Sequence, residues 1–106
     1  MREILWLKEA EDELVAIVNY IFQNQGQNVA LKVYDNIISQ IELLSEYPEL
    51  GTFETKYQYK GISLRVLHSK FTRIFYCIQN TKIVIVLLWN NRKDDTTIQK
   101  TISLRK

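Results

Sequence analysis

The stretch Gly61–Arg92, GISLRVLHSKFTRIFYCIQNTKIVIVLLWNNR, decides the fold. It reads as three consecutive β-strands joined by two tight turns, at Ser69-Lys70 and at Gln79-Asn80-Thr81. Val, Ile, Phe, Tyr and Leu dominate it, the residue types that suit a pleated, half-buried surface. Ile62, Leu64 and Val66 alternate with Ser63, Arg65 and Leu67, and Ile74, Tyr76 and Ile78 alternate with Arg73, Phe75 and Cys77. If pairing keeps the aliphatic sets together, Arg65 and Arg73 share the face away from the core. Ile83–Trp89 (IVIVLLW) is apolar without alternation, which predicts a central strand covered on both sides. Set into this fabric are Arg65, Lys70, Arg73 and Lys82, with Arg92 just past the end and His68 near the first turn. A cation in a strand needs water, a partner or a ligand.

Upstream, the chain reads as support for that sheet. Glu3–Leu7 (EILWL) is a short apolar run that suits a first strand. An amphipathic helix is predicted over about Lys8–Gln23, its stripe formed by Ala10, Leu14, Ile17, Val18, Ile21 and Phe22. Glu9, Glu11, Asp12 and Glu13 fill its first turns, where carboxylates complement the helix dipole. Gly26 ends it, and a second helix is predicted to about Glu46 with Ala30, Val33, Tyr34, Ile37, Ile41 and Leu44 buried, widened by Leu31 and Ile38. The short connection favours an antiparallel hairpin. Pro48 and Gly51 stop and turn the chain. Thr52–Lys60, with Phe53, Tyr57 and Tyr59, is expected along the outer edge of the sheet. Downstream, Asp95 suits a helix cap, but TTIQKTISL is as rich in β-branched residues as in helix formers, so Thr96–Lys106 stays open.

Length and charge narrow the function classes. The 106 residues make a single domain with one two-layer core. No run reaches the roughly 18–20 apolar residues of a membrane span, and MREILWLKEAEDEL lacks the pattern of a signal peptide. A cytoplasmic protein with no membrane role is therefore expected, and the one cysteine, Cys77, is read as a buried structural thiol. Residues 1–55 carry three basic and ten acidic side chains, a net −7, whereas residues 56–106 carry eleven and two, a net +9. This split predicts a basic face that meets a polyanion or an acidic protein segment. One cysteine and one histidine rule out zinc-ligand spacing, no Gly-rich phosphate loop is present, and no metal or cofactor is expected.

The order β-α-α-β-β-β resembles the RelE/ParE superfamily of bacterial type II toxins. The residues that carry the resemblance are the opening ILWLKEAEDELVAIVNYI, the break Pro48-Glu49-Leu50-Gly51, the strand start with Gly61 and Arg65, the run Arg73-Ile74-Phe75-Tyr76, and the ending LLWNNRKDD. The resemblance implies an α+β fold, a helical hairpin packed on one face of a twisted antiparallel sheet, with the first strand beside the last. It implies a toxin neutralised by a cognate antitoxin, in a heterotetramer or larger assembly, the antitoxin covering the free face of the sheet. Tyr57, Tyr59, Arg65, Leu67, Arg73, Phe75, Trp89, Asn91 and Arg92 are the expected binding residues. ParE-like members bind DNA gyrase, and RelE-like members cleave mRNA on the ribosome. For cleavage, Arg65 and Arg73 would clamp phosphate, with His68 or Lys70 assisting and Arg92 at the far end. Trp89-Asn90-Asn91 stands where the family places its acid or base, and neither an amide nor an indole transfers a proton usefully near pH 7. That favours the gyrase reading, with the ribonuclease as the alternative.

Overall fold

The computed structural model describes residues 2–106. In chain order they form β1 (Glu3–Trp6), α1 (Lys8–Gln25), α2 (Gln27–Leu43), β2 (Thr52–Tyr59), β3 (Ile62–His68), β4 (Thr72–Gln79), β5 (Lys82–Asn90), a 3-10 turn (Asp95–Thr97) and α3 (Ile98–Ser103). Both long helices lie where the apolar periodicity puts them. Ala10, Ile17 and Ile21 of α1 and Ala30, Val33, Ile37 and Ile41 of α2 are buried, with Leu14 and Val18 partly so. The stripes are narrower than the sequence suggests: Phe22, Leu31 and Tyr34 are exposed on the flanks of the hairpin. Gly26 alone joins the helices, at φ +89°, donating to the Phe22 carbonyl (2.9 Å) and accepting from the Ala30 amide (3.2 Å). A side chain would find open space there but a strained backbone.

The sheet has five strands in the order β1-β5-β4-β3-β2. It is mixed rather than wholly antiparallel, because β1 runs parallel to β5, its expected neighbour. The helical hairpin carries the chain from β1 at one edge to β2 at the opposite edge, and the antiparallel run β2-β3-β4-β5 brings it back to lie beside β1. The tyrosine-rich segment before Gly61 forms the full strand β2. Lys60 and Gly61, both at positive φ (51° and 77°), turn it into β3 with the twist suited to a two-residue hairpin loop.

The register corrects a second expectation. Val66 pairs with Phe75, Arg65 with Tyr76 and His68 with Arg73. Directly paired residues share a face, so Arg65 lies on the hairpin side of the sheet and Arg73 on the other. The alternation could not choose between registers, because Ile74, Phe75, Tyr76 and Cys77 are all buried. Sliding β4 by one residue exchanges one apolar set for another. In β5, Phe75 opposes Leu87 and Tyr76 opposes Ile85, so Val86 is the extra residue of a bulge. Val86 and Leu87 therefore both enter the second core.

Each face of the sheet has its own core. On the hairpin side, Leu67, Ile74, Tyr76, Ile83, Ile85 and Leu88 pack against α1 and α2. On the other side, Leu64, Val66, Phe75, Val86, Leu87 and Trp89 pack under Ile98 and Ile102 of α3, both fully buried. The cover expected from an antitoxin is thus supplied in cis. A six-residue helix is far below the length that is stable alone, so α3 depends on this contact. Asp94 starts the segment by accepting a hydrogen bond from the Thr96 amide (3.0 Å), which holds its carboxyl below the usual carboxylate pKa.

Candidate functional site

Arg65 and Arg73, the pair expected to clamp phosphate, do not converge. Arg65 lies beside the loop after α2, where its Nη1 donates to the Gly51 carbonyl (2.9 Å) and the Glu49 carbonyl (3.3 Å) and its guanidinium stacks on Phe53. Tyr76 completes the lock: its hydroxyl donates to the Pro48 carbonyl (2.7 Å) and accepts from the Gly51 amide (2.8 Å). Burial raises the Tyr76 pKa, opposed by that amide. A Cβ on Gly51 would sit 2.8 Å from the Tyr76 ring, so the Pro48–Gly51 break requires glycine for close approach. Arg65 is therefore engaged with backbone carbonyls rather than open to a phosphate.

Arg73, on the opposite face, donates through Nε to Asn91 Oδ1 (3.1 Å) and through Nη2 to Asp95. Its side chain is 16% exposed and is paired within the fold. Asn91 in turn donates from Nδ2 to the Ser69 carbonyl (3.4 Å), and its amide to the Phe71 carbonyl (3.0 Å), tying the turn after β5 to the turn before β4. His68 is exposed, with Nε2 3.8 Å from Glu54 Oε2. Arg92 returns to the hairpin side and lies 4.8 Å from the Tyr20 ring centre, while Lys70 lies 5.5 Å from that of Phe71.

The aromatic and apolar members of the expected binding set are mostly interior. Tyr59, Leu67, Phe75 and Trp89 are buried, and Tyr57 meets the Phe75 ring edge-on at 5.2 Å. They build the two cores instead of presenting a surface to a partner. The Trp89 Nε1–H is buried without a hydrogen-bond partner among the described residues. Cys77 shares the second core, and burial pushes its thiol up to about 11. That keeps it protonated and unreactive, as a structural thiol should be.

Sequence reasoning missed two side-chain bridges from the C-terminal segment. β1 pairs with β5 only as far as Ile85, and the edge beyond is closed by Glu13 and Arg105. Glu13 Oε1 accepts from the Leu88 amide (3.1 Å), while Arg105 donates through Nη1 to the Val86 carbonyl (2.6 Å) and to Glu13 Oε1 (2.9 Å), and through Nη2 to Glu13 Oε2. At the far edge, the Gln99 amide accepts from the Gln58 amide (2.8 Å) and donates to its carbonyl (2.9 Å). No local pattern announces pairs 92 and 41 residues apart. Glu13 had read only as part of an acidic first turn.

Exposed concave surface remains on the helical hairpin. A cleft of about 430 Å³ is lined by Trp6, Leu14, Val15, Val18, Tyr34 and Ile38, with Glu11 and Asn19 at its polar side. No helix among the described residues is long and apolar enough to cross a membrane.

A family model described as the ParE toxin of the type II toxin–antitoxin system parDE matches residues 4–95. No curated protein matches the chain. A chain from the solved structure of the chromosomal ParDE TA system from P. aeruginosa shares the fold, with a TM-score of 0.69 at 20% identity, covering 85% of this chain and 96% of that one.

Proposed function

The chain belongs to the ParE toxin family of type II toxin–antitoxin systems, and we propose that it arrests growth in the cytoplasm by binding DNA gyrase until a cognate antitoxin neutralises it. The observation that carries this reading is the separation of Arg65 from Arg73, the expected phosphate clamp. Stabilising a phosphorane requires preorganised charge aimed at one point. Here Arg65 is turned to the carbonyls of Glu49 and Gly51, and Arg73 to Asn91 and Asp95 on the opposite face. A binding mode of action needs no such convergence.

For the antitoxin, the cleft across the hairpin supports helix-in-groove docking, since Val15 and Tyr34 leave large apolar surface exposed beside it. A heterotetramer or larger assembly would follow from antitoxin dimerisation. One arrangement favours the alternative, ribosome-dependent mRNA cleavage: His68 stands 3.8 Å from Glu54 and directly across from Arg73. Induced expression should stop growth. The purified protein should inhibit gyrase supercoiling and leave mRNA intact on translating ribosomes. A-site cleavage with unimpaired supercoiling would overturn the gyrase reading in favour of the nuclease.

A further inference from the structure

Two neighbouring clefts at one end of the hairpin share a single wall, Phe71. The smaller, about 280 Å³, carries Arg92 and the amides of Asn24, Gln25 and Asn90. The larger, about 630 Å³, carries Lys32, His68 and Lys70 with the amides of Asn36 and Gln40. Among the described residues no carboxylate lines either cleft, although the chain has twelve acidic residues and only a net +2 charge; Glu54 stands behind His68, 3.8 Å from its Nε2. The cations stand against aromatic rings, Arg92 on Tyr20 and Lys70 on Phe71. Gln40 also holds a buried Oε1 without a hydrogen-bond partner among the described residues.

Cations select phosphate, aromatic faces select planar bases, and side-chain amides offer both donors and acceptors to exposed base edges. A lone phosphate has no use for the aromatic wall, and a duplex keeps its bases stacked on one another and away from Phe71. We infer that the two clefts bind consecutive nucleotides of an unpaired nucleic-acid strand, one base stacking on Phe71 and Lys32, Lys70 and Arg92 taking the phosphates. This site lies apart from Arg65 and Arg73 and does not depend on the gyrase reading.

The test is fluorescence anisotropy of the purified full-length protein with labelled 12-nucleotide oligo(dT), oligo(U) and a 12-base-pair duplex. Single strands should bind about ten-fold tighter than the duplex, and the tighter of the two single strands identifies DNA or RNA as the source. The logarithm of the affinity should fall with the logarithm of salt at a slope of about −2, since each phosphate contact contributes about −0.7. Lys32→Ala or Lys70→Ala should flatten it by about 0.7. Phe71→Leu should weaken binding about ten-fold with the slope unchanged, as loss of one stacked base predicts. Lys56→Ala, outside both clefts, should change nothing. If Phe71→Leu unfolds, the exposed Arg92→Ala carries the test, with about the same slope change as the lysine variants. Absence of binding at about 100 μM protein, where contacts of this strength would register, equal affinity for duplex and single strand, or unaltered binding by the cleft variants would each overturn the proposal.

Discussion

The two faces of the sheet are covered in opposite ways. The hairpin face is closed by two helices of 35 residues in all, whose buried apolar side chains share one core with it. The other face is closed by the six-residue α3, fixed by two buried isoleucines and by hydrogen-bonding bridges at the sheet edges. Burial of apolar surface is cumulative and non-directional, so losing one contact lowers the stability of the whole molecule but does not detach the first cover. The second has few contacts to lose. The difference teaches that this fold has one face held by many contacts and one held by few.

The largest expected effect is Ile37→Ala, which empties a fully buried site under the hairpin and should cost about 2–5 kcal/mol. Urea unfolding followed by circular dichroism and by tryptophan fluorescence should shift together. Ile102→Ala should lose less, because its cost is capped by the free energy of detaching α3 locally. Equal losses at the two sites would erase the distinction between the faces.

Glu13→Gln comes next. It leaves Arg105, 7% exposed, facing an uncharged partner, and should cost about 2 kcal/mol, below the full price of breaking a buried pair because Glu13 is itself 23% exposed. A thermal melt reads this directly, and restored stability in a Glu13→Gln, Arg105→Met double variant would locate the penalty in the stranded charge. Tyr76→Phe should cost about 1–3 kcal/mol by leaving the Gly51 amide without its acceptor. Hydrogen exchange at Gly51 should accelerate, and unchanged protection would mean that Arg65 alone holds the loop.

The smallest effect sharpens the comparison most. Gln99→Ala removes two hydrogen bonds between α3 and the β2 edge and should cost about 1 kcal/mol, mostly as easier local opening. Cys77, in the core under α3, is the reporter. Its pKa is raised by burial to about 11, so at pH 8.5 the folded thiol stays protonated, and opening lets it fall back toward 9.0. Iodoacetamide should therefore label Cys77 below the global unfolding midpoint, about five-fold faster in Gln99→Ala. Labelling that tracks only global unfolding would show both faces to be equally firm.

The helices were legible because their spacing repeats locally: Ala10, Ile17 and Ile21, or Ala30, Val33, Ile37 and Ile41, declare one buried face each. The three strands from Ile62 to Asn90 were legible from composition and turns. The relation of Arg65 to Arg73 was not, since β4 is apolar on both faces and offers no preferred register. Nor was α3 legible. TTIQKTISL has no decisive propensity, and its helix forms because Ile98 and Ile102 meet a waiting apolar surface.

By itself, then, the sequence determined a helical hairpin, a run of adjacent strands and the toxin-family resemblance carried by Pro48–Gly51, Arg73–Tyr76 and the last strand. Those features are written in periodicity and in order along the chain, which need no distant partner. Only the tertiary structure decided that the second face is closed from within, that Glu13 and Arg105 finish an edge that β1 leaves open, and that Arg65 and Arg73 part to different surfaces. Each of these depends on which residues a register or a crossover brings together. Such a choice is set by the summed burial of the whole molecule and leaves no mark on any short stretch of it.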